Sequence, residues 1–192
     1  MLPRIIAVCG ARRSGKDAVS SILSSIGYEH IKISAALKES CKILFDFTDD
    51  QLESDIKDEI DPRWGVTPRS MMQYLGTEVM QYGLPQTFPQ MALGREFWIR
   101  RTMESMSQSH DNSRYVISDL RFLHEERLLR TRKDTFIIKV HRDHARGLDE
   151  HCSEQEFKYI RENLLIQNNF MTLDELEVFI RSQLDKLERT VE

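Results

Sequence analysis

The feature that most constrains this chain is its start. Ile5 to Cys9 is an uninterrupted apolar run ended by Gly10, and Ala-Arg-Arg-Ser-Gly-Lys-Asp follows at once. Val19, Ile22, Leu23 and Ile26 then recur at the i, i+3, i+4, i+7 spacing of one helix face, closed by Gly27. The run predicts a short buried strand and the spacing predicts a helix. A strand, a G-x4-G-K loop and a helix in that order form a phosphate-binding loop. Its glycines let main-chain N–H groups turn inward around phosphate oxygens, the helix N-terminus faces the same anion, and a lysine adds a full charge. Gly10, Arg13, Ser14, Gly15 and Lys16 are therefore the candidate ligands of a phosphate chain. Asp17 stands where such loops usually place the hydroxyl that ligates Mg²⁺. A carboxylate can take magnesium directly or through water, and it can equally match the charge of the helix start. The sequence leaves both readings open.

The rest of the chain reads as strands alternating with helices. His30 to Ile33 predicts a second strand, with a helix from Ser34 to Phe45 that Ser34 would cap. Tyr115 to Ser118 is a strand ending at Asp119, with a helix over 124–130. Thr135 to Val140 is a fourth strand and Leu164 to Gln167 a short fifth one. Leu173, Leu176, Ile180, Leu184 and Leu187 form an amphipathic terminal helix, with Thr172 and Glu175 as a capping box. Residues 46–112 carry helical patterns and no convincing strand, with Thr67-Pro68 as a helix start. The expectation is one α/β domain over 1–192, a five-stranded, mostly parallel sheet covered on both faces. Residues 46–112 form a helical insertion over one end of that sheet, and 141–156 a lid-like loop.

Composition narrows the partners. The chain has 192 residues, enough for one domain with a real core, and 27 basic residues stand against 31 acidic ones. A net charge of −4 argues against a general binder of nucleic-acid polymers, but leaves small anionic ligands open. Three widely spaced cysteines fit no zinc or disulfide framework, so a reducing compartment is expected. No apolar stretch approaches the roughly 20 residues of a membrane span, so no membrane association is expected.

Two further segments carry charge in a pattern. In TPRSMMQYLGT, a rotation of about 100° per residue gathers Met71, Met72, Leu75 and Val79 on one side. It places Arg69, Gln73 and Gly76 on another. The arginine offers a forked donor for a phosphate, the glutamine an amide for a base or sugar edge, and the glycine room for a ligand. An ordinary solvated helix face would look the same. In SDLRF, Asp119 and Arg121 follow a strand that should lie beside the first. Ligands of open parallel sheets sit at the carboxyl ends of strands, so both would point near the phosphate loop. Asp119 would hold a metal-bound water or a hydroxyl, and Arg121 a phosphate, with Glu125 as an ion-pair partner. A helix-start network is the alternative. Arg142 and Arg146 lie in a polar loop that could close over a transferring phosphate. Trp98 is a candidate for lining a base pocket.

Taken together, GARRSGKD, TPRSMMQYLGT, SDLRFLHE, HCSE and NNFMTLDEL resemble the deoxynucleoside monophosphate kinases of the phage and large-virus type, in the same order and over nearly the whole chain. The resemblance implies a P-loop kinase fold, ATP with Mg²⁺ as donor and a deoxynucleoside monophosphate as acceptor. It implies that Gly15 and Lys16 belong to the ATP loop, that Arg69, Gln73, Asp119 and Arg121 fall on the substrate side, and that Ser34 and Lys38 belong to the acceptor side. Catalysis is then expected from Lys16, Arg121 and Arg142, with Asp17 and Asp119 as metal candidates. The cytoplasm is the expected location, a host's if the chain is viral, and a homodimer stays open. A phosphomevalonate-type kinase has a similar loop and remains an alternative, as does a nucleotide-binding regulatory module without transfer chemistry.

Overall fold

The computed structural model describes residues 2–108, 113–143, 155–169 and 172–189. It divides into two compact units: Met1–Lys32 with Met103–Glu192, and Ile33–Thr102. The expected lid loop falls largely outside the described residues, as do Arg146 and the HCSE segment.

The first unit is built on five strands: β1 (Ile5–Gly10), β2 (Tyr28–Ile31), β3 (Arg114–Ile117), β4 (Thr135–His141) and β5 (Leu164–Gln167). Every pairing is parallel and the order is β2-β3-β1-β4-β5. The period of two explains its core. Ile6 and Val8 share a face of β1, and the register sets Val116 beside Ile6, Ile138 beside Val8 and Ile166 beside Val140. These residues are buried in one cluster with Val19 and Leu23 of α1 (Lys16–Ser25) and Leu176, Ile180 and Leu184 of α8 (Leu173–Arg189). The alternate residues Ile5, Ala7 and Cys9 are buried too, so β1 has apolar neighbours on both faces. That is why its sequence is a continuous apolar run rather than an alternating one.

The terminal capping box forms as expected. Glu175 N–H donates to Thr172 Oγ1 at 3.2 Å, and Thr172 N–H donates to the Glu175 carboxylate at 2.9 Å. The second strand lies upstream of its expected position, over 28–31. Tyr28 is buried and its hydroxyl donates to Pro3 O at 2.9 Å. β2 pairs with β3 from Tyr28↔Arg114 onward.

The second unit is helical: α2 (Ala35–Phe45), α3 (Asp49–Glu53), α4 (Pro68–Gln73), a π-helix over Tyr74–Gly83, α5 (Leu84–Thr87) and the start of α6 (Phe97–Ser107). Thr67 caps α4 by accepting from Ser70 N–H, with Pro68 in the first turn. Ser34 sits at the start of α2, but its side chain makes no cap bond. The small core of this unit gathers Cys41, Phe47 and Leu52, against which Met71, Met72 and Leu75 pack. Asp61 organises the connection between α3 and α4. It is buried and receives the Arg63 main-chain N–H, the Arg63 guanidinium and the Gln51 amide. Among the described residues, no helix is long and apolar enough to cross a membrane.

Candidate active site

The chain leaves β1 toward β2 on one side of the sheet and leaves β4 toward β5 on the other. Such a reversal opens a crevice at the carboxyl ends of the two strands, and residues 10–16 lie there. Gly10 has φ +147, and a Cβ there would meet Val140 O at 2.3 Å and Ser14 Oγ at 2.9 Å. Gly15 has φ +104, and a Cβ there would meet the Asn168 amide nitrogen at 2.2 Å. Both positions therefore require glycine for space as well as for backbone conformation.

Ser14 N–H donates to Ala11 O at 3.2 Å, and Lys16 Nζ donates to the same carbonyl at 2.7 Å. The lysine thus reaches back from the first turn of α1 across the loop. Ser14 is fully buried and its Oγ has no hydrogen-bond partner among the described residues. A buried hydroxyl in that state costs free energy. The donor set, the α1 N-terminus and the close glycine turns fit an anion. Arg13 is exposed at φ 64 and Asp17 is exposed in the first turn of α1. Cys9, just before the loop, is chemically quiet: burial pushes its thiol up to about 12.

The segment after β3 joins the edge of the same crevice. Leu120 N–H donates to Val8 O at 3.3 Å and Ser118 N–H to Ile31 O at 3.4 Å. These bonds hold Asp119, between them, at the carboxyl end of the sheet beside the strand that feeds the loop. Ser118 is buried, with its Oγ 2.7 Å from His30 Nε2. Glu125 anchors the segment that carries Arg121 through the main chain. Its carboxylate accepts the main-chain N–H groups of Arg121 (2.9 Å) and Phe122 (3.0 Å), capping α7 (Leu123–Leu129). It thereby fixes the backbone that carries Arg121. Burial pushes its carboxyl up to about 7 against the pull of those N–H groups, and the nearby Asp119 charge adds to the rise. Arg142 lies exposed immediately after β4. Among the described residues, no three His, Cys, Asp or Glu side chains converge to hold a metal. A magnesium ion on Asp17 or Asp119 would complete its shell with phosphate and water oxygens.

Within the helical unit, the guanidinium of Arg69 is paired with Asp58. Lys38 Nζ meets Glu53 at 2.7 Å. Gln73 closes α4, where the winding changes. The π-helix alters the faces expected from a 100° rotation. Gly76, Thr77 and Gln81 are buried at the wider π-helical spacing. Gly76 does not leave room for a ligand: a Cβ there would meet Leu37 Cδ2 at 2.6 Å. Its carbonyl accepts the Trp98 indole N–H at 2.9 Å. Trp98 is buried at 8% exposure and stacks edge-on with Phe97, so its one donor ties α6 to the π-helix.

The residue that loop-by-loop reading misses is Asn168. It follows β5, lies 7% exposed, and donates its side-chain N–H to Ser14 O at 2.9 Å. It is separated from Ser14 by 154 positions, so no local pattern connects the two.

An all-parallel sheet in this order, with a glycine-lined loop between its central strand and the first helix, defines a P-loop fold. Two solved structures share the fold at a TM-score of 0.50. One is the Thermus thermophilus protein TT1252, at 18% identity over 97% of this chain and 99% of its own. The other is dephospho-CoA kinase from Campylobacter jejuni, at 14% identity over 96% of this chain and 98% of its own. The chain belongs to the deoxynucleotide monophosphate kinase family, whose sequence pattern matches residues 27–180. That match begins beyond the phosphate loop, so the loop and the family assignment are separate observations. A predicted deoxynucleotide monophosphate kinase of Acanthamoeba polyphaga mimivirus is 30% identical over 188 residues, covering 94% of this chain and 96% of its own length. The protein is thus a phosphotransferase of the nucleotide kinase type.

Proposed function

We propose that this protein transfers the γ-phosphoryl group of ATP to a deoxynucleoside 5′-monophosphate, giving the diphosphate and ADP. The observation that carries the reading is the loop after β1, where Lys16 reaches back to Ala11 O between two glycines that admit no side chain. Lys16 and the loop N–H groups hold the β and γ phosphates. An anionic oxygen of the acceptor phosphate forms the new bond to the γ-phosphorus, and the bond to the β–γ bridging oxygen breaks with ADP leaving. The attacking oxygen needs no general base, so positioning and charge stabilisation carry the rate. Magnesium, held by Asp17 or Asp119, would neutralise phosphate charge. Arg121 offers a guanidinium to a phosphate from a backbone that Glu125 fixes. In the helical unit, Arg69 and Gln73 are the candidates for acceptor recognition, with Ser34 and Lys38 behind them, and Arg142 is a candidate for the transferring group.

The test is a coupled ADP-release assay across all deoxynucleoside and ribonucleoside monophosphates, with phosphomevalonate included. Acceptor-dependent release with at least one deoxynucleotide is expected. Release only with phosphomevalonate, or ATP binding without acceptor-dependent release, would overturn the reading.

A further inference from the structure

The phosphate loop is braced by a side chain from the far edge of the sheet. Asn168 N–H donates to His141 O at 2.8 Å, which carries the β4–β5 ladder one residue past Gln167. The Asn168 backbone is therefore fixed by the sheet. Its side-chain amide then donates to the carbonyl of Ser14, inside the loop, at 2.9 Å. The same nitrogen lies where a Gly15 Cβ would be, so the amide packs directly against the Gly15 backbone.

The consequence concerns the Ser14–Gly15 peptide. The C=O and N–H of a trans peptide point in opposite directions. With the Ser14 carbonyl turned to Asn168, the Gly15 N–H is turned away from it. A peptide next to a glycine rotates with little steric opposition. Reversal here would offer a carbonyl where the loop should offer a donor, and an anion would then meet a partial negative charge. Asn168 opposes that reversal as it stands, because its N–H bonds the carbonyl, and a reversed peptide would meet that donor with another N–H until the side-chain amide also turned over.

We propose that Asn168 is a positioning residue for nucleotide binding, holding the Ser14–Gly15 peptide with its N–H available to a phosphate. The inference rests on the reading of residues 10–16 as a nucleotide loop. The adjoining Asn169 extends the brace: it accepts the Asp143 N–H at 2.9 Å and donates to the Asp143 carboxylate at 2.7 Å. The two asparagines thus join the loop to the end of β4.

Two variants of the full chain test it. Asn168→Ala removes the donor, and Asn168→Asp puts an acceptor in nearly the same volume, facing the Ser14 carbonyl. Calorimetric ADP affinity, without acceptor, should fall about tenfold in the first and on the order of 100-fold in the second, as expected for a lost buried hydrogen bond and for a repulsive one. The KM for ATP should rise while the KM for the monophosphate stays constant. A lowered melting temperature with unchanged ADP affinity in Asn168→Ala would overturn the inference, even were Asn168→Asp unfolded, because a merely structural role moves only stability. A parent protein that binds no ADP would overturn it together with the nucleotide reading. Weakened ADP binding in the variants would uphold it even if no monophosphate were phosphorylated, so the two readings fail separately.

Discussion

The sheet unit and the helical unit are stabilised in different currencies. In the first, one continuous apolar cluster runs from α1 across β1, β3, β4 and β5 to α8. In the second, a small cluster of Cys41, Phe47 and Leu52 is supported by half-buried neighbours, Ile33, Trp98 and Ile99 are buried besides, and many of the remaining contacts are polar. Arg63 joins Asp61 to Asp46, Lys38 pairs with Glu53, and Lys42 with Asp49. Large apolar side chains such as Ile43 (78% exposed) and Ile60 (68%) stay in solvent. Apolar burial scales with area and is non-directional, whereas exposed ion pairs contribute little each. The contrast teaches that the phosphate loop stands on the rigid part of the molecule. The candidate acceptor residues Arg69 and Gln73 stand on a part that should open at lower free energy.

A pair of core truncations tests the contrast most severely. Ile138→Ala should cost toward the upper end, and Leu52→Ala toward the lower end, of about 2–5 kcal/mol. Urea unfolding with site-resolved hydrogen exchange reads both, and equal costs or better protection in the helical unit would break the comparison. Next in size, Lys16→Met should lower turnover by on the order of 10²-fold or more, the scale of a lost preorganised charge. Its melting temperature should stay near the parent's, because Lys16 lies outside the apolar cluster. Near-normal ADP release would remove Lys16 from the mechanism.

A smaller effect separates the units by pH. Hydrogen bonding by Arg63 holds the Asp61 carboxyl far below the ordinary aspartate value of 3.8. A depressed folded pKa gives stability that is present above that value and lost as pH falls through the folded one. Exchange protection in 33–102 should therefore drop in acid, and Asp61→Asn should start lower and show a flatter acid limb. A parent without that limb would remove Asp61 as the electrostatic anchor.

The smallest effect lies in the sheet unit. The Glu125 carboxyl is raised from 4.5 to about 7, chiefly by burial. The native state therefore keeps this proton longer than the unfolded chain does, and its ionisation makes the parent lose stability as pH rises from about 4.5 to 7. Glu125→Gln can still accept the two N–H groups and carries no charge, so the parent's melting temperature should fall relative to the variant's across that interval and level off above it. Parallel melting curves would show that burial does not burden this carboxylate.

Where one physical signal dominates, the sequence was readable. β1, β3, β4 and β5 emerge within a residue or two of their apolar runs, and α4 and the terminal helix begin at the capping residues their sequences display. Errors arise where a second force competes. The apolar Ile31 and Ile33 draw the second strand downstream, while the Tyr28 hydroxyl and its pairing with β3 hold it upstream. Gly76 reads as an opening for a ligand only if the helix turns at 100° per residue. The π-helical winding instead gives its space to Leu37 and its carbonyl to Trp98.

By itself, then, the order of residues determined the phosphate loop, the alternation of strands and helices, and the family signature. Each is carried by chemistry within a few positions of its neighbours. Only the tertiary structure decided that Asn168 braces Ser14, that Glu125 caps the backbone of Arg121 from a buried site, and that Trp98 anchors the π-helix. Those contacts depend on which groups folding brings out of water and within about 3 Å of one another, where a hydrogen bond forms or fails. The side chains involved carry no mark of that partner in the sequence around them.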